Sequence, residues 1–205
     1  MYKAIAAALS LSAIFAASPA SAVVVGFSPS AQTAGPSDTI SLDLTVSGLG
    51  DGAAPSVGGF DFDILYDPSA LTFDGYALGT DLGDEGLFEQ LDFSFGDLGG
   101  GLIDLASTSV LLDFDLDLLQ GSSIVLATLD FTVDVLALGA STSVSVDTFD
   151  PFLLLSDGFG QDLAVTAFNG ATIRNPNPNV VSAPSGIALF ALGLLGLGLT
   201  RRQKA

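Results

Sequence analysis

The chain contains no cysteine, no histidine and no tryptophan, and only 5 of its 205 residues are lysine or arginine. The first absence excludes disulfides, thiolate nucleophiles and thiolate metal sites; the second excludes an imidazole general base and His-ligated zinc. With no tryptophan, and with Tyr66 and Tyr76 the only tyrosines beyond Tyr2, the aromatic platforms usual in sugar-binding clefts are thin. The shortage of positive charge is also uneven. No basic residue stands between Lys3 and Arg174, whereas all 23 acidic residues fall between Asp38 and Asp162. A field of that sign repels phosphate, so nucleic acid and anionic headgroups are poor partners for this region. Cations, calcium above all, and basic protein surfaces are what it attracts; a solvated acidic coat serving solubility is the plainer alternative.

What the chain does have begins with two apolar ends. Met1-Tyr2-Lys3 is a short positive start, Ala4 to Ala17 an apolar run, and Ala20-Ser21-Ala22 a small-x-small site. This reads as a secretory signal peptide over 1–22, cut after Ala22. At the other end Gly186 to Thr200 carries no charge and runs directly into Arg201-Arg202-Gln203-Lys204. As a helix rising about 1.5 Å per residue the apolar run spans about 22 Å, short of a hydrocarbon core of about 30 Å. The basic tail fits a cytoplasmic stop, so a C-terminal transmembrane helix is expected to hold the body on the far side of the membrane. Asn175-Pro176-Asn177-Pro178-Asn179 has linker composition, and residues 175–182 are expected to form an extended spacer.

Between these ends, residues 23–174 are one domain, long enough to bury a core, and the pattern is that of strands. Ile40, Leu42, Leu44 and Val46 alternate with Ser41, Asp43 and Thr45; Phe60, Phe62, Ile64 and Tyr66 alternate with Asp61, Asp63 and Leu65. Asp67-Pro68 ends the second of these, because proline cannot donate to a continuing ladder, and the chain resumes near Leu71. Further strands are expected at Val23–Phe27, Phe88–Phe95 (with Leu91, Phe93 and Phe95 sharing one face), Leu102–Thr108, Ser143–Thr148 and Leu163–Ile173. Ile124 to Val135 is the longest candidate, with Val125, Ala127, Leu129, Phe131, Val133 and Val135 on one face. Leu111 to Gln120 suits a strand or one or two helical turns equally. About nine short strands with no long helix between the termini imply an all-β fold, a two-sheet antiparallel sandwich.

The stretch Gly58-Gly59-Phe60-Asp61-Phe62-Asp63-Ile64-Leu65-Tyr66-Asp67-Pro68-Ser69-Ala70-Leu71 resembles the third-strand region of cohesin domains, where an aromatic-aliphatic strand ends in Tyr-Asp-Pro followed by Leu. Ile40 to Val46, the long strand from Ile124, Thr148-Phe149-Asp150, and Phe168-Asn169-Gly170-Ala171-Thr172-Ile173 agree in order, so the resemblance covers nearly the whole body. It implies a nine-stranded jelly-roll sandwich that binds a dockerin module on one sheet. It further implies a partner-binding role for Asp61, six residues before the Asp of Tyr-Asp-Pro, and with it Asp63. Gly59 stands where the family carries a polar residue. The C-terminal segment, 183–205, is similar to PEP-CTERM sorting signals: Ala183-Pro184-Ser185 lies at the short motif, Pro184 matches its second proline, and Arg201-Arg202 form the basic tail. That resemblance implies processing near Pro184 by an exosortase-type membrane protease and release to the cell surface.

No catalytic residue is assigned. Glycosidase chemistry needs two carboxylates about 5 to 10 Å apart, but so many acids supply such pairs by chance, and enzyme activity is not expected. No cofactor is expected other than calcium, for which Asp81, Asp84 and Glu85 in a glycine-rich loop, or Asp113, Asp115 and Asp117, could supply oxygens; neither run has EF-hand spacing. The expected function is that of an exported adhesion or matrix-assembly module binding a dockerin-like protein. The alternative is a carbohydrate-binding module for surface polysaccharide.

Overall fold

The structure, a computed structural model, describes residues 22–176. The signal-peptide run with Ala20, and the sorting segment with Ala183, Pro184, Ser185, Arg201 and Arg202, lie outside the described residues; Ala22 is the first of those described. The chain runs through β1 (Val23–Ser28), β2 (Ala31–Thr33), β3 (Thr39–Ser47), β4 (Gly59–Tyr66), β5 (Leu71–Leu78), β6 (Gln90–Asp92), β7 (Gly96–Gly99) and β8 (Leu102–Ser109). It continues through a short helix, α1 (Asp113–Leu119), then β9 (Ser123–Val133), β10 (Ser141–Val146), β11 (Leu154–Ser156), β12 (Val165–Asn169) and β13 (Ala171–Arg174).

These strands form two facing sheets. One has the order β12-β1-β3-β9-β5; the other has β2-β13-β10-β4-β8-β6, with β11 also on β4 and β7 also on β8. The alternating strands fill the space between them: Ile40, Leu42, Leu44 and Val46 of β3 and Phe60, Phe62 and Ile64 of β4 are all buried, while Tyr66 packs half-buried against Phe131 with ring centroids 5.4 Å apart. Burial of this apolar surface, about 25 cal/mol per Å², is the main force holding a sandwich that has no cross-link. The chain reverses at Asp67-Pro68 as expected. Asp67 Oδ1 accepts from both the N–H (2.9 Å) and the hydroxyl (2.6 Å) of Ser69, and β5 leaves for the opposite sheet.

Several features differ from the sequence-based expectation, and one that it left open is decided. Among the described residues the strand count is thirteen rather than about nine, because β2, β6, β7 and β11 have only three or four residues, too few to display a period. The sandwich is not wholly antiparallel. β1 pairs with β12 and β2 with β13 in parallel, since the first and last stretches run side by side and both switch sheets, at Pro29-Ser30 and at Gly170. Leu111–Gln120 resolves to the helix α1, with only Leu116 buried. In β9 the inward face changes phase: Ile124 and Leu126 are buried, then Ala127, Leu129, Phe131 and Val133, because a bulge opposite Leu44/Thr45 inserts one residue, and Val135 lies beyond the strand in solvent. Finally, Asn175 belongs to the body rather than the spacer. It is buried, its amide donates to Leu136 O at 2.6 Å, and its backbone bonds to Gly139 and Ala140.

The Phe88–Phe95 segment departs furthest. Phe88, Leu91, Phe93 and Phe95 are exposed rather than core-facing. Two short strands, β6 and β7, share the outer edge of β8, and Ser94 pinches the chain between them: its hydroxyl donates to Ala106 O and accepts from Ala106 N–H. That kink interrupts the alternation and turns Phe93 and Phe95 outward.

Candidate functional site

β4 lies inside its sheet and organises the outer face. β8 runs along one edge. β10 and β11 follow one another along the other, pairing with Ile64–Tyr66 and Gly59–Asp61 respectively. Because side chains alternate, the buried set Phe60, Phe62, Ile64 forces Asp61, Asp63 and Leu65 outward. The register then places Asp61 between Leu154 of β11 and Ala106 of β8, and Asp63 directly opposite Asp104. The β10–β11 connection adds Asp147 and Asp150. It is held by the Asp147 N–H donating to Asp63 O (2.7 Å) and by Asx turns in which Phe149 N–H and Phe152 N–H donate to Asp147 Oδ1 and Asp150 Oδ1, each at 2.9 Å. Both phenylalanines point into solvent.

The result is an acidic centre bordered by apolar side chains: Leu65, Phe93 and Leu154 are all substantially exposed. Partial burial pushes the carboxyl of Asp61 above the usual carboxylate range, and Asp104 and Asp150 push it further. Asp63 is raised by the same burial, then by Asp150, Asp104, Asp147 and Asp61. Among the described residues no hydrogen-bond donor or cation reaches either carboxylate; the one described cation, Arg174, is on β13, away from β4. Like charges directly opposite across strands are destabilising, so this arrangement costs stability in the free protein.

A pH dependence of unusual sign follows. Asp61 and Asp63 bind protons more tightly folded than unfolded, so their contribution to stability falls as pH rises from the unfolded carboxylate value, about 3.9, through their raised values. Asp67, held below the usual range by Ser69, acts in the opposite sense at lower pH and is fully exposed. The midpoint of thermal unfolding is expected to rise as pH drops from 7 through the raised values of this pair toward about 3.9. Asp63→Asn is expected to raise it at pH 7 and to flatten the slope. A steady fall in the midpoint over that interval, with no effect of Asp63→Asn, would contradict the assignment.

Two of the three loop acids suggested for calcium accept backbone hydrogen bonds. Asp81 Oδ2 accepts from Val125 N–H (3.1 Å), Asp84 Oδ1 accepts from Gly86 N–H (2.7 Å) as the cap of a one-turn 3-10 helix, and Glu85 is exposed in that turn. Asp113, Asp115 and Asp117 lie on α1. Among the described residues, no group of three or more acidic side chains is gathered closely enough to hold a metal ion. Of the residues singled out from the sequence, the structure brings together Asp61 and Asp63. Asp104, Asp147 and Asp150 join them without having been singled out; Asp104 was legible from the alternation of Leu102–Thr108, whereas the two loop acids had no periodic signal.

No protein-family model and no curated protein matches the chain significantly. Solved structures do. A cohesin of Clostridium acetobutylicum in solution is 24% identical, with a TM-score of 0.57 over 80% of this chain and 94% of its own. The fold is that of a cohesin domain. A type II cohesin from the cellulosome of Acetivibrio cellulolyticus superposes with a TM-score of 0.58 at 17% identity, over 80% of this chain and 98% of its own. The sixth cohesin of that organism's scaffoldin B, solved in complex with a dockerin, gives 0.57 at 15% identity over 75% and 99%. Likeness at this level concerns the cohesin backbone. Among the described residues no helix is long and apolar enough to cross a membrane.

Proposed function

We propose that this cohesin-like sandwich is a non-enzymatic module that binds a dockerin-like protein through the outer face of the β4 sheet, with Asp61 and Asp63 in the contact. The observation that carries the reading is the pair of carboxylates on β4, half-buried, unpaired and ringed by Leu65, Phe93 and Leu154. A free protein gains nothing from that arrangement. A partner that brings apolar contacts and positive charge relieves both the exposed apolar area and the repulsion. The solved cohesin–dockerin complex with the same fold supports this choice of partner.

The wider reading is of an exported protein, acting in adhesion or extracellular matrix assembly. Its C-terminal segment would cross the membrane as a helix and be processed near Pro184 by an exosortase-type protease, leaving the body at the cell surface. The sequence of the two ends supports it. Calcium would enter through the dockerin-like partner, or through the Asp81, Asp84 and Glu85 loop after rearrangement.

The test is binding of the purified chain to dockerin modules with and without calcium, alongside an array of surface polysaccharides. Calcium-dependent capture of a dockerin, with no glycan retained, is the expected result. Retention of a glycan with no dockerin bound would replace this reading with a carbohydrate-binding module.

A further inference from the structure

Beside Asp61 the outer face is not flat. A groove of about 260 Å³ runs along β4, walled by Phe93 on one side and Leu154 on the other, with Ala106, Thr108 and Gly59 beneath and Asp61 at its edge. Its floor is low because the register sets small residues there: Ala106 opposite Asp61, and Gly59 between Thr108 and Ser156. A Cβ on Gly59 would stand 3.2 Å from Thr108 Oγ1 and 3.3 Å from Ser107 O, so a side chain in this position would crowd the groove. The wall on the β8 side exists only because the Ser94 kink turns Phe93 outward.

We infer that this groove seats an arginine side chain of the protein partner, its aliphatic stem against Leu154 and Ala106, its guanidinium stacked on Phe93 and paired with Asp61. The inference rests on the protein-binding reading and specifies which group of the partner enters the face. Charge complementarity selects the occupant. Asp61 is a half-buried carboxylate without a donor, surrounded by Asp63, Asp104 and Asp150, and no described cation approaches it. An apolar channel that ends at a carboxylate matches a side chain with an apolar stem and a charged head. Arginine fits better than lysine because its planar, weakly hydrated head stacks on an aromatic ring while its fork pairs with a carboxylate. A second copy of this chain is a poor occupant, since it would bring the same negative field onto the face.

The experiment is an NMR titration of the isotope-labelled full chain with three blocked amino acids: N-acetyl-arginine methylamide, its uncharged isostere N-acetyl-citrulline methylamide, and N-acetyl-lysine methylamide. The arginine probe is expected to shift the amides of Phe93, Ala106, Thr108 and Leu154 along a saturating curve. Its affinity should exceed that of citrulline by about tenfold, with lysine between them. Asp61→Asn and Phe93→Ala should each weaken it at least several-fold, and the unchanged remainder of each spectrum shows that the fold is intact. Equal shifts with citrulline would overturn the seat. So would arginine shifts spread evenly to Asp43 and Asp130 on the other sheet, or the same amides moving with protein concentration alone, the mark of a second copy. The two readings fail separately: dockerin captured without an arginine response removes the seat alone, while an arginine response with no protein ever captured removes the partner and leaves the seat.

Discussion

Phe131→Ala is expected to destabilise the domain by about 3–5 kcal/mol, the usual cost of emptying a buried phenylalanine site. Phe131 has no solvent exposure and lies mid-strand in β9, between Ile40 of β3 and Phe73 of β5. Its ring centroid is 5.5 Å from that of Phe73 in its own sheet and 5.4 Å from that of Tyr66 in the facing sheet. Truncation therefore opens a cavity at a point where the two layers touch, and neither layer can collapse into it without breaking its ladders. Domains have a total stability of about 5–15 kcal/mol, so the loss is a large share. In a chain of this size each kcal/mol shifts the unfolding midpoint by about 2–4 °C, which places the expected fall between about 6 and 20 °C. Phe149→Ala, removing a ring that is 93% exposed, should stay within about 0.5 kcal/mol and serves as the control. Denaturant unfolding of both variants checks the pair; a Phe131→Ala cost below about 1 kcal/mol would mean that the two sheets do not meet at this ring.

The contrast between those two phenylalanines shows what was legible in the sequence. Where a strand is long and half-buried, alternation names its inner face directly, as in β3 and β4. Asp61 and Asp63 were visible for the same reason, being the complement of Phe60, Phe62 and Ile64. Alternation fails where hydrogen bonds other than ladder pairs set the direction of a side chain. Ser94 grips Ala106 by both backbone groups and so points Phe93 and Phe95 outward, a long-range contact with no local signature. Asp147 and Asp150 reach the face only because their Asx turns fold the β10–β11 connection against β4. Period likewise misled within β9, where one bulge shifts the phase partway along an otherwise regular strand.

Those unpredicted elements also complete the face. Sequence alone supplies two acids on a strand, which any solvated strand surface could carry. The structure adds Asp104 by register, two loop acids by turns, and an aromatic wall by a kink. Each addition raises the cost of leaving the face empty, because the charges are alike and the apolar groups are exposed. The binding energy available to a cationic, partly apolar partner rises by the same interactions.

Asp61→Lys is expected to abolish capture of that partner, weakening it by at least about a hundredfold. Removing one member of a desolvated charge pair at an interface costs about 2–5 kcal/mol, and a lysine here also sets a positive group against the partner's own. Asp61 is the most consequential position because its flanking residues, Leu154 and Ala106, are apolar: nothing adjacent on β8 or β11 can replace its charge. The free protein should not suffer. Lysine in this position faces Asp63, Asp104 and Asp150, so the repulsion that raises the Asp61 carboxyl becomes attraction, and the unfolding midpoint should hold or rise. Asp130→Lys provides the comparison, since it makes the same change in net charge on the outer face of the other sheet, where Asp130 is exposed on β9. If binding depended only on the overall negative field, both variants would weaken it alike, mainly through the association rate and more at low salt. If it depends on the β4 face, Asp130→Lys retains capture and Asp61→Lys loses it through faster dissociation. Surface plasmon resonance at two salt concentrations separates these outcomes, and equal loss in both variants would remove Asp61 from the contact.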